Sequence, residues 1–441
     1  MKRVHPSQAL RPPAFEYHGA PAEARASELY CEAVPLAGLA ARHGTPLYVY
    51  SAAMIRARMD AFVHAFHSIP HTLCYSVKAN STLGILRLVA SEGVGFDVVS
   101  GGELERVLRV SRKATSKPKV VFSGVGKTAA EMELALRSGI LLFNIESASE
   151  LNLLSATAAR LRKRAAIAVR VNPDVSAKTH PYISTGLHRH KFGVPISEAR
   201  TLYAQAAKRP YLKVAGVSVH IGSQITDVGS FQEALERVAD LVRTLRDEGH
   251  DIRYVDAGGG LGISYDGAQE SFEKQIAAYA RAVLVPLRGL KLHLLLEPGR
   301  SIVGPAGVLL TCVLYRKTNN HKRFLIVDAA MNDLLRPSLY GAYHEIVPLA
   351  RATTRESRET EITDVVGPIC ETGDFFARDR KLPLVNEGDL LAILDVGAYG
   401  AVLGSNYNTR GRAAEVLVDG AKARVIRRRE SIEDQMRTEK F

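Results

Sequence analysis

The chain has 441 residues, 46% hydrophobic and 24% charged, with a formal net charge of +12. That length exceeds what one small core needs, so two domains, or one large barrel with an appendage, is the expected organisation of an ordinary globular protein. The four cysteines, Cys31, Cys74, Cys312 and Cys370, form no close pair, which excludes a zinc knuckle or disulfide scaffold and suits a reducing cytoplasm.

The first residues, MKRVHPSQALRPPAFEYHGA, lack the apolar core of a signal peptide. The run IVGPAGVLLTCVLY (302–315) is too short for a bilayer and is broken by glycines and a proline. Neither export nor a membrane span is expected. The positive charge fits nucleic acid or an anionic substrate. Its densest clusters, RLRKR (160–164) and RVIRRRE (424–430), carry no interleaved aromatics or glycines, so solvated faces are expected and nucleic acid is not.

In chain order, short β-branched or apolar runs fall at 72–79, 95–100, 119–124, 141–147, 165–173, 214–223, 253–260 and 291–299. Helical patterns separate them at 101–110, 128–139, 147–161, 197–209 and 230–249. Alternation of this kind predicts an α/β fold with parallel strands, and eight such units close into a (β/α)8 TIM-type barrel. A doubly wound sheet is the competing architecture, but no GxGxxG follows the first strand. Beyond residue 305 the runs RFLIVDAA (323–330), LLAILDVGAYG (390–400) and AAEVLVDGAKARVIRR (413–428) predict a mostly antiparallel C-terminal β domain. The expected domains are 51–304 for the barrel, 305–441 for the β domain, and 1–50 as a segment packing with it.

Each predicted strand ends in polar or glycine-bearing residues: Lys78, Asp97, Ser123, Asn144 with Glu146, Asn172, His220, the triplet Gly258, Gly259 and Gly260, and Glu297 with Arg300. In an eight-fold barrel these ends converge on the catalytic face. A lysine ending a buried strand is ordinarily a snorkelling side chain. Partly desolvated at a barrel mouth, Lys78 becomes a candidate Schiff-base former. Three glycines in a row let backbone N–H groups crowd an anion, although a lone triplet is more often a tight, closely packed turn. Glu297, closing the apolar run LLLEPGRS, needs a facing cation, and a protonated pyridine nitrogen is one. His220 reads either as a satisfied core histidine or as a ring stacked on a planar cofactor, with Ser223 reaching its phosphate. The HRH at 188–190 is flanked by cations, and no metal site is expected.

The ordered motifs YSVKAN, GFDVVSGGEL, NPDVSAKTHPYISTGLHRHKFG, VHIGSQ, GGGLGI, EPGRSIV, RPSLYGAYH, GPICETGD and GAYG resemble those of the diaminopimelate decarboxylases, fold type III enzymes dependent on pyridoxal 5'-phosphate. The resemblance spans about 45–430. It implies that Lys78 carries the cofactor and that His220 stacks on it. Ser223, Gly258, Gly259, Gly260, the backbone of Glu297, Pro298, Gly299 and Arg300, and Tyr399 would hold its phosphate, while the Glu297 side chain pairs with the ring nitrogen. Arg300, Arg336, Tyr340 and Tyr399 would bind substrate, an amino acid with two carboxylates. Cys370 as proton donor and Glu371 on the distal amine would come from the second subunit of a homodimer. The segment NTRGRAAEV departs from the family by placing Gly411 where a proline is common.

Three rivals frame that reading. A decarboxylase of ornithine, lysine or arginine tends to carry Asp after the pocket cysteine, whereas this chain has Glu371. A racemase would not need GPICETGD. A non-catalytic, decarboxylase-like binding protein could lose Lys78 or Cys370, and both are present.

Overall fold

The computed structural model describes residues 14–19, 26–112, 117–175, 191–266, 271–352 and 359–440. The HRH at 188–190 and the middle of the NPDV motif lie outside them. The chain divides into two compact units: 58–263 with 270–301, and 1–57 with 264–269 and 302–441.

The first unit is a closed barrel. Its parallel strands run His71–Ser76, Gly95–Val98, Val120–Phe122, Leu142–Ile145, Ala165–Asn172, Leu212–Val219, Tyr254–Asp256 and His293–Leu296, the last pairing back onto the first. All eight predicted runs are strands. The expected helices form at Gly101–Val110, Ala129–Ser138, Ala148–Leu161, Ile196–Ala207 and Gly229–Asp247, joined by Leu83–Ser91 and Phe272–Leu287.

Three helices start on the same local signal, a hydroxyl followed three residues later by glutamate. Ser100, Thr128 and Ser147 each accept the backbone N–H of Glu103, Glu131 and Glu150, satisfying a donor that the first turn leaves unpaired. Such caps let a helix begin within a few residues of its strand, keeping the loops at the mouth short. The barrel interior is filled by Cys74, Val121, Leu142, Ala168, Ala215 and Leu295, all fully buried. Each large aliphatic side chain so placed contributes about 1.5–3 kcal/mol.

The second unit is built on a mostly antiparallel sheet. Its central strand, Gly307–Asn319, pairs antiparallel with Lys322–Val327, Leu390–Ile393 and Leu47–Ser51. Among the described residues two pairings are parallel: Lys322–Val327 with Thr360–Val366, and Leu47–Ser51 with Ala414–Asp419. Leu47, Val49, Val308, Leu310, Val416 and Val418 alternate into one core with Phe15 and Leu29.

The basic cluster at 424–430 corrects the expectation of a solvated face. Arg427 ion-pairs with Glu415, which is 1% exposed, and half-buried Arg429 donates to the carbonyls of Gly44 and Pro46. A carboxylate that deep needs a cation, and Arg427 supplies it. Gly411 also has its reason here: a Cβ on it would lie 2.4 Å from the Glu430 carbonyl oxygen. Among the described residues no helix is long and apolar enough to cross a membrane.

Candidate active site

Lys78 sits in the turn Val77–Ala79 that ends the first barrel strand. Ser76 and Asp97 are register partners on adjacent strands, so their side chains leave the sheet together. The Ser76 hydroxyl donates to Asp97 Oδ2 at 2.9 Å, and Lys78 Nζ lies 2.6 Å from the same oxygen. A buried carboxylate thereby orients an ammonium that stays partly exposed.

Behind this pair lies a second carboxyl cluster. Glu297, one residue past its strand, accepts from Ser123 Oγ at 3.1 Å. It shares a hydrogen bond with Asp256. Asp256 also accepts from Asn144 Nδ2 at 2.6 Å, Ser218 Oγ at 3.2 Å and the Gly258 N–H at 2.9 Å. Burial, then the charges of Asp256 and Asp97, pushes Glu297 well above the usual carboxyl range, against the pull of Lys78. Asp256 is raised too, first by burial. With three other donors on Asp256, Glu297 is the member that holds the proton.

The glycine triplet threads between neighbouring strand ends. A Cβ on Gly258, Gly259 or Gly260 would lie 2.5, 2.1 or 2.4 Å from the carbonyl oxygens of Val219, Glu297 and Gly222 respectively. The tight-turn reading of GGG is therefore physically present. It also narrows the anion reading, because the Gly258 N–H is engaged by Asp256 and the Gly259 N–H by His220 Nδ1 at 3.1 Å.

That bond fixes the His220 ring, since an accepting Nδ1 leaves the hydrogen on Nε2. Burial, then Arg170 and Lys78, pushes His220 well below its ordinary range, so the ring is neutral. Arg300, 7% exposed, donates to Ser223 Oγ at 3.2 Å, and Pro298 and Gly299 are buried beside it.

The barrel thus brings Lys78, His220, Ser223, Gly258, Gly259, Gly260, Glu297, Pro298, Gly299 and Arg300 to its carboxyl end. The other predicted residues belong to the second unit. Arg336, buried, opens the short helix Arg336–Tyr340, and Ser338 Oγ donates to the Gly373 carbonyl at 2.6 Å. Cys370 and Glu371 are exposed. The Cys370 N–H is held by Asn408 Oδ1 at 2.8 Å. Tyr399 adopts a left-handed φ of 56°.

Sequence reasoning left Asp256 unassigned. Its signal was present in VDAGGG, where an acid ends an apolar strand two residues before the glycines. The sequence marks Asp97 only as a polar strand end, because its pairing with Lys78 needs the register between strands.

Residues 52–304 match the family model described as pyridoxal-dependent decarboxylase, pyridoxal binding domain. The chain is 52% identical over 410 residues to the diaminopimelate decarboxylase of Pseudomonas aeruginosa, covering 93% of this chain and 96% of that one. The structure of the Helicobacter pylori diaminopimelate decarboxylase complexed with L-lysine superposes with a TM-score of 0.86 at 44% identity, covering 92% and 99% of the two chains. That of the M. jannaschii enzyme in co-complex with L-lysine gives 0.89 at 36% identity, covering 98% and 99%. Identity at this level over nearly whole chains, with the fold shared throughout, means that the chain belongs to the diaminopimelate decarboxylases, within the fold type III pyridoxal-phosphate family.

Proposed function

We propose that this protein converts meso-2,6-diaminopimelate to L-lysine and carbon dioxide, the last step of lysine biosynthesis by the diaminopimelate route, as a cytoplasmic homodimer using pyridoxal 5'-phosphate. The barrel mouth fits that cofactor: the buried atoms Asp97 Oδ1 and Asn144 Oδ1 have no hydrogen-bond partner among the described residues. Beside them Glu297 keeps a proton that a basic ring nitrogen can take. When bound, the cofactor supplies an electron sink for the carbanion left as carbon dioxide departs.

The residues divide the remaining work. Lys78 would hold the cofactor covalently through Nζ and, whenever that nitrogen is free, would carry protons, with Asp97 keeping it in place. Neutral His220 offers a flat face without competing for the positive charge Glu297 is meant to meet. The Gly260 N–H, Ser223, the backbone of Pro298, Gly299 and Arg300, and Tyr399 hold the phosphate, while Gly258 and Gly259 shape the turn. Arg300, Arg336 and Tyr340 bind substrate carboxylate through planar, charge-assisted contacts. Cys370 returns a proton to the reacting carbon and Glu371 binds the distal amine, both reaching the site from the second subunit.

The observation that carries the proposal is Lys78 ion-paired to buried Asp97 at the same barrel end as proton-bearing Glu297 and neutral His220. The test is lysine formation by the purified protein with cofactor, offered meso-diaminopimelate and, separately, ornithine, lysine and arginine. Turnover of meso-diaminopimelate alone supports the assignment. Turnover of another substrate instead overturns the specificity, and inactivity on all four with cofactor bound favours a binding protein.

A further inference from the structure

Arg336 is 5% exposed, and its guanidinium is oriented by two neutral partners. Its Nη1 lies 2.8 Å from His344 Nε2, and its plane sits over the Tyr265 ring, 4.6 Å from the centroid. His344 is fully buried. Its Nδ1 lies 2.8 Å from the Leu394 carbonyl oxygen, and its ring meets Tyr265 edge-on at 5.1 Å and 76°.

These contacts settle the imidazole's state. A carbonyl only accepts, so Nδ1 carries the hydrogen. A guanidinium only donates, so Nε2 is bare. His344 is therefore a neutral acceptor of fixed tautomer, clamped at one edge by the sheet strand end at Leu394 and at the other by Arg336. A neutral acceptor orients an arginine without cancelling its charge, as a carboxylate in that place would. The aromatic face of Tyr265 adds attraction that also leaves the charge in place.

We propose that His344 is a positioning residue for substrate recognition: with Tyr265 it holds Arg336 in the orientation that receives the substrate carboxylate retained in the product. This rests on the assignment of Arg336 as a carboxylate ligand. A structural histidine filling the core would stabilise the fold but would not discriminate ligands by their carboxylate.

Two substitutions separate the edges of the ring. In His344→Gln an amide oxygen can still accept from Arg336, whereas His344→Asn can reach the Leu394 carbonyl but is too short to meet the arginine. Binding of L-lysine, which carries the carboxylate, and of 1,5-diaminopentane, which lacks it, is measured calorimetrically on the cofactor-loaded protein. His344→Asn should weaken lysine binding about tenfold and the diamine less than twofold, with His344→Gln recovering most of the lysine affinity. Combined with Arg336→Ala, His344→Asn should add almost nothing, because the two act through one contact. Equal weakening of both ligands, or full additivity with Arg336→Ala, overturns the proposal. If Arg336→Ala itself leaves lysine affinity unchanged, the carboxylate assignment has failed, and the proposal falls with it. Thermal midpoints of all variants identify loss by unfolding, and the folded His344→Gln then decides alone: lysine affinity as low as that of Arg336→Ala overturns the inference.

Discussion

Lys78 and Asp97 form an ion pair 2.6 Å long in which the carboxylate is fully buried and the ammonium about one-third exposed. The same carboxylate oxygen takes the Ser76 hydroxyl, whose oxygen also lies 2.9 Å from the Glu297 carbonyl. One serine thus ties the strand ends carrying the lysine, its counter-charge and the acid.

Asp97→Asn preserves shape but removes the charge that orients Nζ. The expected outcome is a fall in kcat of roughly tenfold to a hundredfold, toward the lower range for a misplaced proton carrier. Cofactor content per chain should stay unchanged. Loss of cofactor in parallel with activity would instead give Asp97 a holding role. Lys78→Ala should be more severe, on the order of a thousandfold in kcat, since under the proposed function it removes the carrier itself.

Gly259→Ala places a methyl where the Glu297 carbonyl oxygen already stands, 2.1 Å away. Backbone cannot step aside as a flexible side chain can, so a stability loss of about 1–3 kcal/mol is expected. Glu297 should move with it, weakening cofactor affinity. Gly126→Ala is the control, since nothing lies within 4 Å of its added Cβ. It should change stability by no more than about 0.5 kcal/mol. Chemical denaturation and cofactor titration measure both effects.

The barrel was legible because its strands are apolar runs buried on both sides, and because helix starts such as Ser100–Glu103 and Thr128–Glu131 announce themselves locally. Lys78 and Glu297 stood out as costly residues at the ends of those runs, and His220 as a ring where its strand leaves the core. What the sequence hid was long-range. Asp256 means little until Asn144, Ser218 and Glu297 arrive from three other strand ends. The N–H groups of Gly258 and Gly259 looked available until Asp256 and His220 were found to hold them. Arg427 and Arg429 read as solvated until Glu415 and the carbonyls of Gly44 and Pro46 were folded against them. Thr360–Val366 buries Glu361 and Asp364 while exposing Ile362, and Phe375–Pro383 mixes exposed charge with apolar residues, so neither shows a clean alternation of apolar and polar positions.

Asp374 holds the segment that bears Cys370 and Glu371. Its carboxylate accepts the Met331 N–H and the Ile369 N–H, each at 2.7 Å, while 4% exposed. Asp374→Ala would leave those donors buried without a partner, at a cost of about 1–3 kcal/mol each. Asp374→Asn retains one acceptor and should lose roughly half as much. The denaturation midpoint checks the energetic order. A kcat that falls further than the stability loss explains would show that the loop's position also matters to turnover.

Asp333 gives the second unit a pH-dependent stability. Burial drives its carboxyl from the ordinary 3.8 up to about 7, against the Ala330 N–H bond and the nearby charges of Arg410 and Arg429. Between those two values the folded state binds a proton that the unfolded state has released, so stability falls as pH rises through the window. The slope from this group is at most about 1.4 kcal/mol per pH unit. Asp333→Asn keeps an oxygen for the Ala330 N–H, 3.0 Å from Oδ2 in the parent, and has no proton to lose. The variant should therefore gain on the parent as pH goes from 5 to 8, read as the difference between their denaturation midpoints at each pH. Glu103, also raised to about 7 by burial, has the same sign and remains in both proteins, so it cancels in that difference. Parallel pH profiles for parent and variant would mean that Asp333 is ionised in the folded protein throughout the range.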